Sequence, residues 1–283
     1  TRSNGRSEGA DGALRSRFTW LIRVIAVDWS GSASAADQRR RIWMATAEGG
    51  DLTSLGSGRT RREVIDALGT MRSSDPHFAV GFDFSFSFPA WFGLARDCRS
   101  APELWDVVAL EGESWLRNCS TPFWGRRGTK RVVVGDLYRR TEVECGRVGG
   151  IGPKSIFQLH GPGSVGTGSI RGMPMLRDLR STGFSLWPFD PPGWPCVVEM
   201  YPRAFTGPVV KSNREARRTS LAGLALPREL RNLAEAGEDA FDAAVSAVVM
   251  SRHSRELRRL KRTNDRVVAL EGAIWLPRDC RPP

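Results

Sequence analysis

The stretch Val24-Ile25-Ala26-Val27-Asp28-Trp29-Ser30-Gly31 sets the tightest limit on what this chain can become. Its apolar residues, mostly β-branched, read as a buried central strand. The run ends in a carboxylate, and Ser30 and Gly31 then turn the chain. A buried carboxylate is costly unless something pairs with it, and a metal ion is one such partner. A turn-capping aspartate is the plainer alternative, because Asp, Ser and Gly also build ordinary turns. Recurrence favours the first reading. Two later hydrophobic strands end the same way, at Asp83 and Glu199, and a helix then carries Asp239 and Asp242 on neighbouring positions of one surface.

Around that strand the chain alternates strands and helices. Phe18 to Val27 is the first strand with its approach, Ile42 to Ala47 a second and Asp51 to Leu55 a short third, an antiparallel meander broken at Gly49-Gly50. Gln38 to Arg41 is a polar stretch between them. Thr60 and Glu63 fit a capping box for a helix reaching about Met71. His77 to Asp83 is a fourth strand. Its tail, Phe84 to Pro89, alternates Phe and Ser, as a strand with one apolar face or as a loop whose rings anchor it beside the site. Trp91 to Cys119 reads as largely helical, with Pro102 at an early helical position.

Residues 121–151 read as an inserted segment, a lobe or flap. It interleaves Arg126, Arg127, Arg131, Arg139 and Arg140 with Trp124 and Tyr138, a mixture that suits single-stranded nucleic acid or, more plainly, a solvated loop. Gly161 to Ser169 is glycine-rich but lacks the order of a Walker loop. Its amides either cradle a phosphate or belong to a linker, and Ser169 caps a helix through Leu179 that ends at Gly183. Cys196 to Glu199 is the next strand, stopped by Pro202. Helices are expected from Lys211 to Ala225, from Pro227 through Leu233, and, after Gly237, from Glu238 to Met250. Val267 to Pro277 reads as a last strand or a pair of short ones.

Composition narrows the function classes. Lysine and arginine number 42 against 31 acidic residues, a formal charge of +11, which favours a polyanionic partner unless it reflects only an arginine-rich genome. Lys130, Lys154, Lys211 and Lys261 are the lysines; the other basic residues are arginines. The five cysteines form no C-x-x-C pair, and the three histidines are too scattered for a zinc site. An odd cysteine count without a secretory signal fits reduced thiols and a cytoplasmic location. No run of about 18 apolar residues is present, so no membrane span is expected. Residues 1–20 read as a disordered leader and 21–283 as a single domain.

If the strands ending at Asp28, Asp83 and Glu199 are parallel neighbours, their carboxylates meet at the sheet edge where ligands bind in open α/β sheets. Such a cluster repels itself without cations. Oxygen ligands suit Mg²⁺ or Mn²⁺, and a pair of these ions can cleave a phosphodiester. The order Val-Asp-x-Ser-Gly, Gly-Phe-Asp-Phe-Ser, Val-Glu-Met-Tyr-Pro and Asp-Ala-Phe-Asp-Ala-Ala, with residues 163–176, resembles the DUF429 family of predicted nucleases over roughly Val24 to Pro277. That family is similar in turn to the ribonuclease H-like superfamily. The resemblance implies an α/β fold with a mixed sheet flanked by helices, and a two-metal nuclease acting on DNA or RNA. It implies that Asp28 bridges the ions, that Asp83 and Asp242 are further catalytic ligands with Asp239 as neighbour or substitute, and that Glu199, on a Glu-x-x-Pro element, is a fourth ligand or the group that orients the attacking water. It makes Lys154 a phosphate contact, and Ser164, Thr167, Ser169 and Arg171 are the expected substrate-binding residues beside it. Actin-like phosphotransfer on ATP and non-catalytic nucleic-acid binding are the rival readings.

Overall fold

Strands that are apolar on both faces need cover on both sides, and that requirement builds the architecture. In a computed structural model describing residues 22–280, β1 (Arg23–Asp28), β2 (Trp43–Glu48), β3 (Asp51–Gly56), β4 (Phe78–Phe82), β5 (Ser185–Leu186) and β6 (Cys196–Glu199) form one sheet of order β3-β2-β1-β4-β6-β5. The expected leader, residues 1–20, lies outside the described residues. Strand β2 alone runs against the others: it is antiparallel to β1 and β3, whereas β1, β4, β6 and β5 are mutually parallel. The early meander is as expected. The helices are α1 (Ala35–Arg41), α2 (Arg61–Ser74), α3 (Ala90–Leu94), α4 (Ala101–Asn118), α5 (Arg140–Glu144), α6 (Gly166–Ser181), α7 (Pro202–Thr206), α8 (Arg214–Ala222), α9 (Arg228–Ala236), α10 (Glu238–Arg252), α11 (Ser254–Leu257) and α12 (Arg266–Glu271). The result is a mixed α/β architecture with a central sheet flanked by helices.

The two faces differ in grain. Ile25, Val27, Phe78, Val80, Phe82 and Val197 point to one side, into a core that also buries Leu68 of α2, Trp105 of α4 and Met173 of α6. Val24, Ala26, Ala45, Ala47 and Ala79 point to the other side, towards Ala240, Ala243, Ala244 and Ala247 of α10. Small residues on both partners let α10 lie close across β1 and β2. Gly81 belongs to this contact, because a Cβ there would stand 2.7 Å from the Met250 sulfur.

Local chemistry sets several boundaries. Thr60 and Glu63 form the expected capping box at the start of α2. Phe84 to Pro89 is an anchored loop rather than a strand. Phe86 N–H donates to Glu199 (2.9 Å), the Phe86 carbonyl accepts from Trp105 Nε1 (2.7 Å), and Phe88 stacks on Phe92 with ring centroids 4.4 Å apart.

Three expectations change. The polar stretch before β2 is helix α1, capped by Ser34, which accepts from Asp37 N–H. Val267 to Glu271 is not a strand but lies in α12, because Asp265 accepts from the amides of Val267 and Val268 and starts a helix; Ile274 alone bridges to Glu199. Helix α6 begins at Gly166, so Ser169 sits in its first turn instead of capping it. Residues 121–151 are less a flap than expected. They are mostly irregular around α5, but Phe123, Leu137, Arg139, Glu142 and Cys145 are buried. The exposed part centres on Val132 to Val134 with Arg127, Lys130 and Arg131.

Candidate active site

Register places the first two carboxylates. Val27 pairs with Phe82 across parallel β1 and β4, and Asp83 N–H bonds the Val27 carbonyl, so Asp28 and Asp83 are adjacent at the C-terminal edge. Side chains alternate along a strand. Asp28 therefore follows Val24 and Ala26 towards α10, and Asp83 follows Ala79 and Gly81 to the same side. Helix α10 presents Asp242 there. Asp28 and Asp242 are buried, and Asp83 is half-buried.

The three carboxylates act on one another. Burial pushes Asp28 well above the usual carboxylate range, and Asp83, Asp242 and Asp239 push in the same direction. Burial and then Asp242 raise Asp83 to about 7, although Lys211 and a hydrogen bond from Asp28 oppose the rise. Asp242 is raised to about 6 by burial, against the pull of Lys211. Asp239 is half-buried and is also raised by burial, with Arg41 opposing. Lys211 supplies the balancing charge: its ammonium bonds Asp242 Oδ2. Burial would lower its pKa, but Asp242, Asp83 and Asp28 outweigh burial and raise it.

A divalent cation can be tested against this donor set. Among the described residues no three His, Cys, Asp or Glu side chains stand grouped so as to hold a metal ion. Asp242 Oδ1, however, is buried with no partner among the described residues. An orphaned carboxylate oxygen beside two further aspartates is oxygen-only chemistry that fits Mg²⁺ or Mn²⁺.

Glu199 belongs to a different cluster. In parallel β4 and β6 it pairs with Phe82, one residue before Asp83, so it faces the opposite side of the sheet. There Arg139, fully buried, grips both its oxygens at 2.5 and 2.8 Å, while Nε bonds Glu142 at 3.0 Å and Nη1 bonds the Glu271 carbonyl at 2.9 Å. Glu199 is thus held as an ion pair on the wall of the same cleft, and its charge contributes to the rise of Asp83. Arg139, expected on the basic face of the insertion, is instead the bolt fixing that segment to the sheet. Arg140 pairs with Asp265 at 2.8 Å.

The glycine-rich loop does lie beside the carboxylates. A cleft of about 740 Å³ is lined by Asp83, Asp242, Lys211, Lys154 and Ser164, among others. Gly31, just past Asp28, abuts the first turn of α6. A Cβ on it would meet Gly168 N at 2.6 Å, so only glycine permits this approach. The loop's side chains divide between fold and cleft. Thr167 Oγ1 donates to the Leu159 carbonyl (2.8 Å); Ser169 Oγ donates to the Val165 carbonyl and accepts from Ser85 N–H (both 2.9 Å). Arg171 grips Glu113 (2.7 and 2.9 Å) and the Gly31 carbonyl (2.5 Å). All three hold the loop in place. Thr167 and Arg171 also line the cleft, as Lys154 and Ser164 do, whereas Ser169 does not.

Sequence patterns pointed to neither of two further residues. Arg61 pins the turn after Asp28 by donating to the carbonyls of Ser30 and Ser32 (2.8 and 2.7 Å). Lys211 is legible only as one of four lysines in an arginine-rich chain, and a compact ammonium is what a single carboxylate oxygen takes.

The raised aspartates have a consequence for stability. Folded carboxylates with raised pKa hold protons that the unfolded chain has already released, so stability falls as pH rises from about 4, where the unfolded groups titrate, to about 7. At about 1.4 kcal/mol per unit, Asp83 alone contributes at most about 4 kcal/mol of this slope. Thermal melts in EDTA across that range are expected to show a falling midpoint in the wild type and a flatter profile in Asp83→Asn. Equal slopes in the two proteins would contradict the clustering.

Compared with known proteins, the chain matches no family model, no curated protein and no solved structure. Among the described residues no helix is long and apolar enough to cross a membrane.

Proposed function

We propose that this protein is a Mg²⁺- or Mn²⁺-dependent nuclease of ribonuclease H-like build, of the kind predicted for the DUF429 family. One observation carries the proposal: Asp28 and Asp83 end adjacent parallel strands beneath a buried Asp242 whose Oδ1 lacks a partner among the described residues. The strand order, with β2 alone reversed, supports the fold half of the reading.

In this reading Asp28, Asp83 and Asp242 hold the cation. Held there, a divalent ion would supply the Lewis acidity that activates water and stabilises the leaving oxygen of a phosphodiester. Asp28 and Asp83 orient from rigid strand ends, and Asp242 approaches from α10 because the alanine contact brings that helix close. Asp239 stands outside the trio. Lys154 and Ser164 meet substrate phosphate at the cleft, and the Arg139–Glu199 pair keeps the far wall in place. The test is hydrolysis of labelled DNA and RNA in Mg²⁺, Mn²⁺ or EDTA. Cleavage that survives EDTA would sink the metal reading. Asp28-dependent hydrolysis of ATP without nucleic-acid cleavage would favour the phosphotransferase instead.

The partner follows from charge. Arg127, Lys130 and Arg131 are exposed on the insertion, and Arg131 lies over Trp124 at 5.5 Å. Binding to oligonucleotides is expected to weaken steeply with salt. Replacing these three residues by Ala should lower the slope of log K against log salt by about 0.9 for each duplex phosphate that is no longer neutralised. A slope unchanged by the triple substitution would remove the insertion from the interface.

A further inference from the structure

Three aspartates meet at the sheet edge, and one flexible cation reaches them. Lys211 stands in the stretch between α7 and α8, where Arg217 Nη1 bonds its carbonyl and Asn213 N–H bonds the Val210 carbonyl at 2.9 Å. That backbone is pinned, while the side chain extends inwards to Asp242 Oδ2. The Lys211 side chain is only 22% exposed. Its ammonium occupies one oxygen of a carboxylate whose other oxygen is buried without a partner among the described residues. Among the described residues, the charge bonded directly to this cluster of three carboxylates is that of Lys211, and it sits on the member contributed by the helix.

We infer that Lys211 is a tethered cation that holds Asp242 in the metal-free protein and gives that carboxylate up when a divalent ion binds. The inference rests on the metal-dependent reading above and adds a feature to it: loading is an exchange of cations. To close on both oxygens of Asp242 the ion displaces an ammonium already bonded to Oδ2, so Lys211 weakens metal affinity while protecting the empty cluster from its own repulsion. Geometry favours exchange over a shared shell. An ammonium has only donors, so it cannot ligate a metal, and while bonded to Asp242 Oδ2 it leaves that carboxylate unable to close around an ion with both oxygens.

The experiment is Mn²⁺ binding to the full chain, followed by the electron paramagnetic resonance of free Mn²⁺, for wild type, K211M, K211R, K154M, D242N and the K211M/D242N pair. K211M is expected to tighten Mn²⁺ by at least about tenfold, since a full charge in hydrogen-bond contact with the ligand is removed. K211R, which keeps the charge, should stay near wild type. K154M reports the general field and should change affinity by less than about threefold, because an exposed charge is screened. In the D242N background K211M should have little further effect, the contested carboxylate being gone. Melting in EDTA, at a pH where the aspartates are ionised, gives a second readout. There K211M should melt below wild type and be restored by Mn²⁺.

K211M that binds Mn²⁺ as wild type does, or more weakly, overturns the inference and leaves the nuclease reading standing. So does a K211M effect that persists undiminished in D242N. If wild type and K211M both fail to bind Mn²⁺, the metal reading fails and the exchange fails with it.

Discussion

Asp28→Asn is expected to abolish metal-dependent phosphodiester hydrolysis and to leave the fold standing. Asparagine keeps the shape of the side chain and removes the charge. Losing one preorganised electrostatic group commonly costs about 10²–10³ in rate. Losing the carboxylate that interacts with both Asp83 and Asp242 should cost more, because neither of them replaces it. The fold should hold because Asp28 is a source of repulsion in the metal-free protein. Burial and three neighbouring aspartates all raise its pKa, so a neutral residue relieves them. The measurements are hydrolysis of labelled DNA and RNA with Mn²⁺ and thermal melting in EDTA. D242N should behave as D28N does, while D239N retains most activity. Dead D239N with active D242N would mean that the other helical aspartate is the ligand. Hydrolysis by D28N at the wild-type rate would end the carboxylate mechanism.

Arg139→Met is expected to be the most damaging single change to the fold. The guanidinium is fully buried and bonds Glu199, Glu142 and the Glu271 carbonyl. Burial works to lower its pKa, but Glu199 and Glu142 outweigh that and raise it, so it stays charged. Methionine fills much of the space and leaves two buried carboxylates without their cation. Breaking a buried pair from one side costs about 3–5 kcal/mol, a large share of the ~5–15 kcal/mol that typically holds a folded domain together. Urea unfolding should show this loss. Arg139→Lys should recover only part of it, because a point charge cannot span both Glu199 oxygens. Adding Glu199→Gln to R139M should recover some stability by removing one stranded charge. A cost below about 1 kcal/mol, the range of an exposed pair, would show that the network does not hold the insertion to the sheet. Glu199→Gln alone separates the two roles considered for that residue: it should lower stability and leave Mn²⁺ affinity nearly unchanged.

The chain's own pattern determined a good deal. The β-branched run ending at Asp28, the hairpin break at Gly49-Gly50, the Thr60–Glu63 capping box and the alanine-rich helix around Asp242 are local signals, and each produced the element expected of it. They rest on periodicity and capping, which act within a few residues. Short apolar runs were less decisive. Val267 to Leu270 reads as a strand by its apolar run, but an aspartate cap two residues earlier made it a helix.

Only tertiary structure sorted the acids. Asp28, Asp83 and Glu199 each end a hydrophobic strand, and in sequence they look equivalent. Side chains alternate with a period of two, so a shift of one residue in pairing sends a carboxylate to the opposite face. Asp83 follows Phe82 and lies beside Asp28, while Glu199 pairs with Phe82 itself and starts from the opposite face, where Arg139 takes it. That single step of register joins Asp28 and Asp83 to Asp242 and hands Glu199 to Arg139. The same holds for charge. Arg139 and Arg140 are neighbours in a basic stretch, yet one is a buried bolt and the other a surface pair. Lys211 stands 31 residues from the aspartate it bonds. The residues were legible in the sequence. Which of them meet was set by strand register and helix packing, which depend on contacts between segments far apart in the chain.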